Sequence, residues 1–164
     1  MGLSENGARS QLRDTTGDGR ADQQRTVASN VNYVNGIIIH QNRLYFVTDT
    51  TLYAADLRAD GTESQPQILI NDLPDAGQHP NRTLGFSPDG MLYISVGSTC
   101  NACDEPNEEH ATILRSQPDG SNREIYARGL RNTISASELP VARGSPVTFS
   151  SHLFSILEDR WKVQ

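Results

Sequence analysis

Short apolar runs separated by tight polar turns make up most of this 164-residue chain. From about residue 25 onward the runs are rich in β-branched and aromatic side chains, which is typical of strands. Turns that contain Asp-Gly follow several of these runs, because Gly adopts the positive φ that a tight turn requires. Helical periodicity is absent until the last segment. The pattern therefore predicts an all-β protein.

The predicted strands fall into two groups of four. The first group covers 36–40, 43–48, 51–57 and 66–70, and the second covers 83–86, 91–96, the start of 112–120, and 124–127. Leu-Tyr followed by Phe or Ile recurs at Leu44 and Leu92, an offset of 48 residues. A repeat of about 40–50 residues with four strands is the signature of a β-propeller blade. A sandwich could also be built from short strands, but the repeat favours two to three four-stranded antiparallel blades of a partial propeller.

The two ends of the chain do not follow this repeat. Residues 1–13 are polar and are expected to be disordered, and 14–134 form the propeller part. Residues 135–164 form a divergent tail without the Leu-Tyr strand or the Asp-Gly turn. Residues 151–162 could form a short helix, because their apolar positions would share one face.

Composition excludes several function classes. The net charge is −6 and the pI is about 5.1, and no cluster of Lys and Arg alternates with aromatic residues, so nucleic acid is not an expected partner. The chain has 35% hydrophobic residues and no run of 18 apolar ones, so no membrane span is predicted. The first residues lack the apolar core of a secretory signal peptide.

An acidic segment near the start is the first candidate site. Asp14, Thr16 and Asp18 alternate before a Gly, and Asp22 follows, as at the start of a calcium-binding loop of the EF-hand type. The twelfth position of such a loop would be Arg25, where a bidentate Glu is required. A hairpin turn capped by Asp and a weak structural calcium site both remain open.

The segment from His79 to Cys103 carries the other candidates. His79 precedes one strand of a predicted hairpin, and Ser98 follows its partner strand, so both are expected at the same rim of the sheet. A histidine there could be a general base or a structural residue. Cys100 and Cys103 lack the further ligands of a zinc site, and a local disulfide or two plain thiols are expected. The acidic run that ends at His110 is expected to be a solvated loop face, with metal binding as the alternative.

Several strings, read in order, resemble one known family. They are DTTGDGRAD, NGIIIHQNRLYFV, HPNRTLGFSPDGMLYISVGSTCNACDEP, ATILRSQPDG and IYARGLRNTI. Over residues 12–134 the chain resembles the sorbosone/glucose dehydrogenase family, soluble quinoproteins with a six-bladed propeller. The resemblance implies oxidation of a sugar or an aldehyde hydrate with pyrroloquinoline quinone (PQQ), and it implies calcium.

The resemblance also implies roles for individual residues. His79, nine residues before Pro88, matches the family's catalytic base, and Arg131 and Asn132 match its cofactor-contacting pair. A neutral imidazole can accept the substrate's hydroxyl proton, and a guanidinium suits quinone and carboxylate oxygens. Ser98 stands where the glucose-oxidising branch has an Asp that supports the histidine.

The sequence leaves alternatives to this function. We expect a truncated member of the family, because the first and last blades have no counterpart here. A calcium-dependent lactonase of propeller fold and a non-catalytic propeller fragment or binding scaffold are the alternatives. The family implies a periplasmic or extracellular protein, and the open edges of terminal blades predict self-association.

Overall fold

The computed structural model describes residues 2–3, 9–28, 31, 33–59, 61–138 and 147–151. All regular secondary structure in these residues is antiparallel strand. The strands of the two central sheets are β4 (Gly36–His40), β5 (Arg43–Val47), β6 (Leu52–Asp56), β7 (Gln67–Ile70), β8 (Leu84–Phe86), β9 (Leu92–Val96), β10 (Thr112–Ser116) and β11 (Glu124–Arg128). The outer strands are β1 (Gly2–Leu3), β2 (Arg9–Arg13), β3 (Gln23–Ala28), β12 (Thr133–Glu138) and β13 (Val147–Ser151). No helix long and apolar enough to cross a membrane occurs in this part of the chain.

The two central sheets are blades of a partial propeller. Strands β4 to β7 form one four-stranded meander in chain order, and β8 to β11 form the second. Strand β8 contacts both β4 and β12, so the first strands of consecutive units are neighbours, as they are around a propeller axis. This arrangement confirms the predicted all-β partial propeller and the order of its eight central strands.

Asp-Gly turns fix the register of the blades. In the β8–β9 hairpin the Gly90 amide donates to the Ser87 carbonyl at 2.8 Å, and Gly90 has φ +83°. The same geometry recurs after β10, where the Gly120 amide donates to the Gln117 carbonyl at 2.9 Å. Glycine adopts this left-handed conformation without a steric penalty, so the repeated turn sequence specifies repeated hairpins.

The core lies between the facing surfaces of the two blades. The buried cluster consists of Tyr45, Val47, Leu52, Ala54, Ile70, Leu73, Leu84, Phe86, Leu92, Ile94, Val96 and Leu114. Every second residue of β9 points into this cluster, because side chains alternate across a strand. Burying one such Leu stabilises the fold by about 2 kcal/mol. The packed core holds the loops at the blade ends in place.

The run GIIIH is half exposed, although a continuous apolar run is typical of a strand that is buried on both faces. Ile38 packs against the core cluster, whereas Ile37 and Ile39 are 42% and 55% exposed. Successive side chains of a strand point to opposite faces, so only the face toward the second blade is covered. Apolar composition alone could not show that the other face stays open.

The chain ends also differ from expectation. The expectation of disorder in residues 1–13 is wrong for Arg9–Arg13, which forms β2 and pairs with β3. Strand pairing uses backbone groups, so a polar sequence can form a strand. The predicted boundary at residue 135 falls inside β12, which pairs with β13. Most of the predicted helix at 151–162 lies outside the described residues, and Ser151 ends β13.

Candidate functional site

His79 lies at the blade rim, in the loop between β7 and β8. Its amide donates to the Ala76 carbonyl at 3.1 Å, and the ring is half-buried. Ring atom Nδ1 is 2.9 Å from the Ser98 carbonyl oxygen and 3.1 Å from Ser98 Oγ. The structure thus brings the predicted base and the predicted supporting residue into direct contact.

This contact determines which nitrogen of His79 carries the proton. A carbonyl oxygen can only accept, so Nδ1 must be the donor to Ser98. Ser98 Oγ donates its own hydrogen to the Cys100 carbonyl at 2.6 Å and faces Nδ1 with a lone pair. In the neutral ring the lone pair is therefore on Nε2. A histidine in this tautomer can accept a proton through Nε2 while Ser98 keeps the ring oriented.

Gly97 makes this approach of His79 sterically feasible. A Cβ added at Gly97 would lie 2.2 Å from the His79 carbonyl oxygen and 2.8 Å from its Cβ. Real Cβ atoms do not come this close to other heavy atoms, so any larger residue would displace one of the two segments. The sequence analysis missed this residue. A Gly that directly follows a strand is a signal of close backbone approach.

Arg131 and Asn132 lie just before β12, and Arg131 joins the same group. The Ser98 amide donates to the Arg131 carbonyl at 2.8 Å, which connects Arg131 to His79 through Ser98. The Arg131 guanidinium is exposed and donates from Nη1 to Asn101 Oδ1 at 3.0 Å. Asn132 Oδ1 is buried and has no hydrogen-bond partner among the described residues. A buried orphan acceptor is costly in isolation and fits a donor from a bound molecule.

The two cysteines form a local disulfide, which was one of the two predicted alternatives. Cys100 and Cys103 close a short loop at the end of β9, with Cα atoms 6.1 Å apart. Glu105 holds the start of this loop, because its carboxylate accepts from the Thr99 hydroxyl at 2.8 Å and from the Thr99 amide at 3.1 Å. The loop is thus closed at its tip and anchored at its base.

His110, which follows the acidic run, is buried and structural, and the expectation of a solvated face is wrong for the partly buried Glu105 and Glu109 of that run. His110 is 7% exposed, its Nε2 donates to the Asp75 carbonyl at 2.7 Å, and its Nδ1 is 3.3 Å from Glu105. These contacts join the loop after β9 to the loop that carries His79. Glu109, in the same run, pairs with Arg123 at 2.9 Å. Only Asp104 and Glu108 of the acidic run are exposed.

The buried Arg82 side chain binds backbone carbonyls of the loop that carries His79. It is 1% exposed and donates to the Pro74 carbonyl at 2.6 Å and to the Pro80 carbonyl at 3.3 Å. Burial lowers the pKa of Arg82 to about 10, and the charges of Asp49 and Asp75 oppose this shift. Sequence analysis did not single out Arg82, because a buried Arg satisfied by carbonyls has no sequence pattern of its own.

The predicted calcium ligands lie in the β2–β3 hairpin, on a different sheet. Asp14 accepts from the Gly17 amide at 2.6 Å and from the Gly19 amide at 2.8 Å. Asp22 accepts from the Thr15 hydroxyl at 2.6 Å, and Asp18 from the Arg20 amide at 2.8 Å. These backbone bonds hold the pKa of Asp14 below its ordinary value, and the Thr15 hydroxyl does the same for Asp22.

The geometry of this hairpin does not fit a calcium site. Calcium needs six to eight converging oxygen ligands. Among the described residues, the His, Cys, Asp and Glu side chains that come within 4.8 Å of one another in a group are Cys100, Cys103 and Glu105. The carboxylates of Asp14, Asp18 and Asp22 are therefore not gathered around one point, and Thr16 Oγ1 donates to Asp14. The two sulfurs near Glu105 are bonded to each other and are not thiolate ligands.

Comparison with known proteins gives one family and several similar folds. The sequence profile of a family described as a domain of unknown function (DUF7133) matches residues 4–139. No curated protein matches the sequence. One similar structure is the holo form of the PQQ domain of pyranose dehydrogenase from Coprinopsis cinerea, with 20% identity and a TM-score of 0.64. The alignment covers 74% of this chain and 34% of the pyranose dehydrogenase domain.

A second similar structure is the calcium structure of a Trichoderma reesei enzyme of carbohydrate-active enzyme family AA12. Its TM-score is 0.63 at 20% identity, and 80% of this chain covers 37% of that one. The iodide structure of the same family has a TM-score of 0.55. The chain thus spans about a third of the length of the structures that it resembles. At this identity the likeness shows the fold alone, namely part of a β-propeller.

Proposed function

We propose that this chain, which belongs to the DUF7133 family, forms part of the cofactor and substrate site of a PQQ-dependent dehydrogenase. The substrate class that we propose is a sugar or an aldehyde hydrate, and sorbosone-type substrates are included in it. Two observations of different kinds support this proposal. One is the likeness of fold to a PQQ domain, and the other is the rim site itself.

The single observation that carries the proposal is the hydrogen-bonded order His79, Ser98, Arg131. Ser98 holds Nδ1 of His79 as a donor, and the Ser98 amide binds the Arg131 carbonyl. The proposal is supported by the loop after β9, because Ser98 in it contacts the imidazole of His79 and Asn101 in it contacts the guanidinium of Arg131. Removal of a hydroxyl proton requires such a base, and a nearby cation stabilises negative charge on a bound group.

The residues present fit PQQ as a ligand. PQQ carries carboxylates and quinone oxygens, and the exposed Arg131 guanidinium can bind such oxygens in a forked arrangement. Asn132 Oδ1, next to Arg131 in the chain, has no hydrogen-bond partner among the described residues. When bound, PQQ would supply the hydride acceptor of the reaction. We propose that His79 takes the hydroxyl proton through Nε2, Ser98 fixes its ring, and Arg131 and Asn132 hold the cofactor.

The structure does not support calcium ligands in the way that it supports a PQQ site. Among the described residues, the one group of three converging His, Cys, Asp or Glu side chains contains a single carboxylate, Glu105, so we assign no calcium ligand. The lactonase alternative needs such a set around a metal, and nothing in the described site favours it. For localisation we propose a periplasmic or extracellular protein. The Cys100–Cys103 disulfide supports this, because disulfides persist in oxidising compartments.

Binding of PQQ by the purified chain tests the proposal directly. We expect binding by calorimetry, with a change in quinone absorbance, and loss of both signals in His79→Ala and Arg131→Ala. Arg128→Ala is the matched control, because Arg128 is an exposed Arg of the same connection that contacts Glu108 instead. Equal binding by all four proteins would contradict the assigned site. A folded chain that binds no PQQ would contradict the proposed function.

Activity is the second stage of the test. If PQQ binds, the loaded chain should reduce an artificial electron acceptor when a pyranose or an aldehyde is added. His79→Ala should retain folding and lose turnover, because no other group is expected to take the proton from the same position. A propeller scaffold without catalytic function would bind PQQ weakly and show no substrate-dependent reduction.

A further inference from the structure

The disulfide-closed loop from Cys100 to Cys103 makes two hydrogen bonds to the candidate site. The Cys100 carbonyl accepts from Ser98 Oγ at 2.6 Å, and this hydroxyl lies against Nδ1 of His79. Asn101 Oδ1 accepts from Nη1 of Arg131 at 3.0 Å. One short loop therefore contacts both the residue that orients the imidazole and the cation of the site.

The disulfide is important because the loop has few other restraints at its tip. Asn101, Ala102 and Cys103 are exposed, so packing does not fix them. A bond between Cys100 and Cys103 limits the backbone conformations of the residues between them. The disulfide thus orders the loop before a ligand binds. Ligand binding then does not have to pay the conformational entropy of holding Asn101 near Arg131.

The base of the loop is held independently of the disulfide. The Thr99 hydroxyl and amide both donate to Glu105, and the Gly77 and Gln78 backbone packs against Thr99. Opening the disulfide should therefore loosen the tip of the loop, where Asn101 lies, and leave the blade folded. Loss of the disulfide can therefore change the position of Asn101 without lowering the stability of the blade, which distinguishes a positioning role from a general role in stability.

We propose that Asn101 and the Cys100–Cys103 disulfide are positioning elements of the site. They hold the Arg131 guanidinium and, through Ser98, the His79 imidazole in the arrangement that receives an anionic quinone. The identity of that ligand rests on the proposed function, whereas the positioning of His79 and Arg131 does not. Reduction of the disulfide then weakens ligand binding, which makes the site sensitive to thiol reductants.

The redox step itself is simple thiol–disulfide exchange. A dithiol reductant attacks one sulfur, the bond between Cys100 and Cys103 breaks, and two thiols form on the chain. The reductant leaves as a cyclic disulfide, so two electrons and two protons pass to the protein. By linkage, a ligand that binds the oxidised form more tightly must stabilise the disulfide by the same factor.

The first arm of the test uses the chain without any ligand. Ring ¹⁵N signals of His79 report the tautomer, and the side-chain ¹⁵Nε signal of Arg131 reports its mobility. We expect dithiothreitol to broaden or shift both signals, and Asn101→Ala to change the Arg131 signal alone. Asn71→Ala is the matched control, because Asn71 is an exposed Asn in the loop after β7. Unchanged signals of both residues on reduction would overturn the inference.

The second arm measures PQQ binding. The Cys100→Ser/Cys103→Ser variant removes the disulfide without a reductant that could react with the quinone. We expect its dissociation constant to rise about tenfold, and that of Asn101→Ala to rise about fivefold, which corresponds to one lost hydrogen bond. The midpoint of thermal unfolding should change little in Asn101→Ala, and Asn71→Ala should bind as the unchanged chain does.

The two arms separate the failure of the inference from that of the proposed function. If the oxidised chain binds no PQQ, the proposed function fails, and the ¹⁵N arm alone decides the positioning role. If the chain binds PQQ and the serine and alanine variants bind equally well, the inference fails while the proposed function stands. If the serine variant does not fold, reduction of the folded chain followed by alkylation of both thiols replaces it.

Discussion

Gly97 lies so close to His79 that a single added carbon would collide with its backbone. The ideal Cβ position at Gly97 is 2.2 Å from the His79 carbonyl oxygen. The end of β9 and the loop that carries His79 are therefore in direct backbone contact. The position of the imidazole is set by this contact together with the hydrogen bonds to Ser98.

Substitution of this glycine should displace the histidine. We expect Gly97→Ala to lower the free energy of unfolding by about 2 kcal/mol, because overpacking forces a backbone shift. It should also change the His79 ring ¹⁵N signals and weaken PQQ binding. Gly120→Ala is the control, since its Cβ would lie 2.8 Å from Ile70 Cγ1 and 2.9 Å from the Leu69 carbonyl oxygen of β7, and not against the loop of His79. If both variants affect His79 equally, the specific contact is not the cause.

Loss of the buried guanidinium of Arg82 should unfold the loop of His79. We expect Arg82→Met to lower the free energy of unfolding by about 3 kcal/mol, because several carbonyls, including that of Pro74, lose their charged donor in a dry environment. Urea unfolding measures this change. Arg58→Met is the control, because Arg58 is exposed and contacts only its own turn. Equal stability of the two variants would show that the buried contacts contribute nothing net.

The Asp14 hairpin should respond to acid in a defined direction. The amides of Gly19 and Gly17 hold the pKa of Asp14 below 3.8, so its contribution is fully present above that value. It is lost as the pH falls through the lower folded pKa. We expect the Gly17 and Gly19 amides to shift and to exchange faster in this acid range. In Asp14→Asn the two amides should be independent of pH over the same range.

Calcium should leave these two amides unchanged at neutral pH. The Asp14 carboxylate already accepts from both of them, and the neighbouring Asp residues are bonded elsewhere in the turn. To bind, calcium would have to draw the carboxylates of Asp14, Asp18 and Asp22 together, which would move the turn that contains both amides. Amide spectra recorded with and without calcium distinguish a hairpin turn capped by Asp from a calcium-binding loop. A saturable shift of the Gly17 and Gly19 amides would show that the hairpin binds calcium.

The exposed isoleucines on the two outer strands of the first blade should promote self-association. Ile37 and Ile39 of β4 are 42% and 55% exposed and Ile68 of β7 is 59% exposed, whereas Phe46 between them is buried. Exposed apolar patches of this kind mark contact surfaces. We expect Ile39→Lys, on the same face, to reduce concentration-dependent association in sedimentation. Leu12→Lys, on another sheet, should leave it unchanged, and an effect of equal size there would point to general solubility.

The sequence by itself determined the strand order and the turn positions. The recurring Leu-Tyr strands and Asp-Gly turns depend on local preferences, namely alternation across a strand and the positive φ that Gly90 adopts. The proximity of His79 and Ser98 followed from the same logic, because both border paired strands. The half-open GIIIH strand did not follow, since burial depends on what packs against each face.

Tertiary structure alone decided how the rim residues meet. The tautomer of His79 follows from its contact with the Ser98 carbonyl, and the hold on Arg131 follows from Asn101, 30 residues away along the chain. Gly97 and Arg82 act through backbone contacts that leave no periodic pattern in a sequence. Hydrogen bonds of 2.6–3.0 Å between separate loops set these roles, and only the packed blades bring the loops that close together.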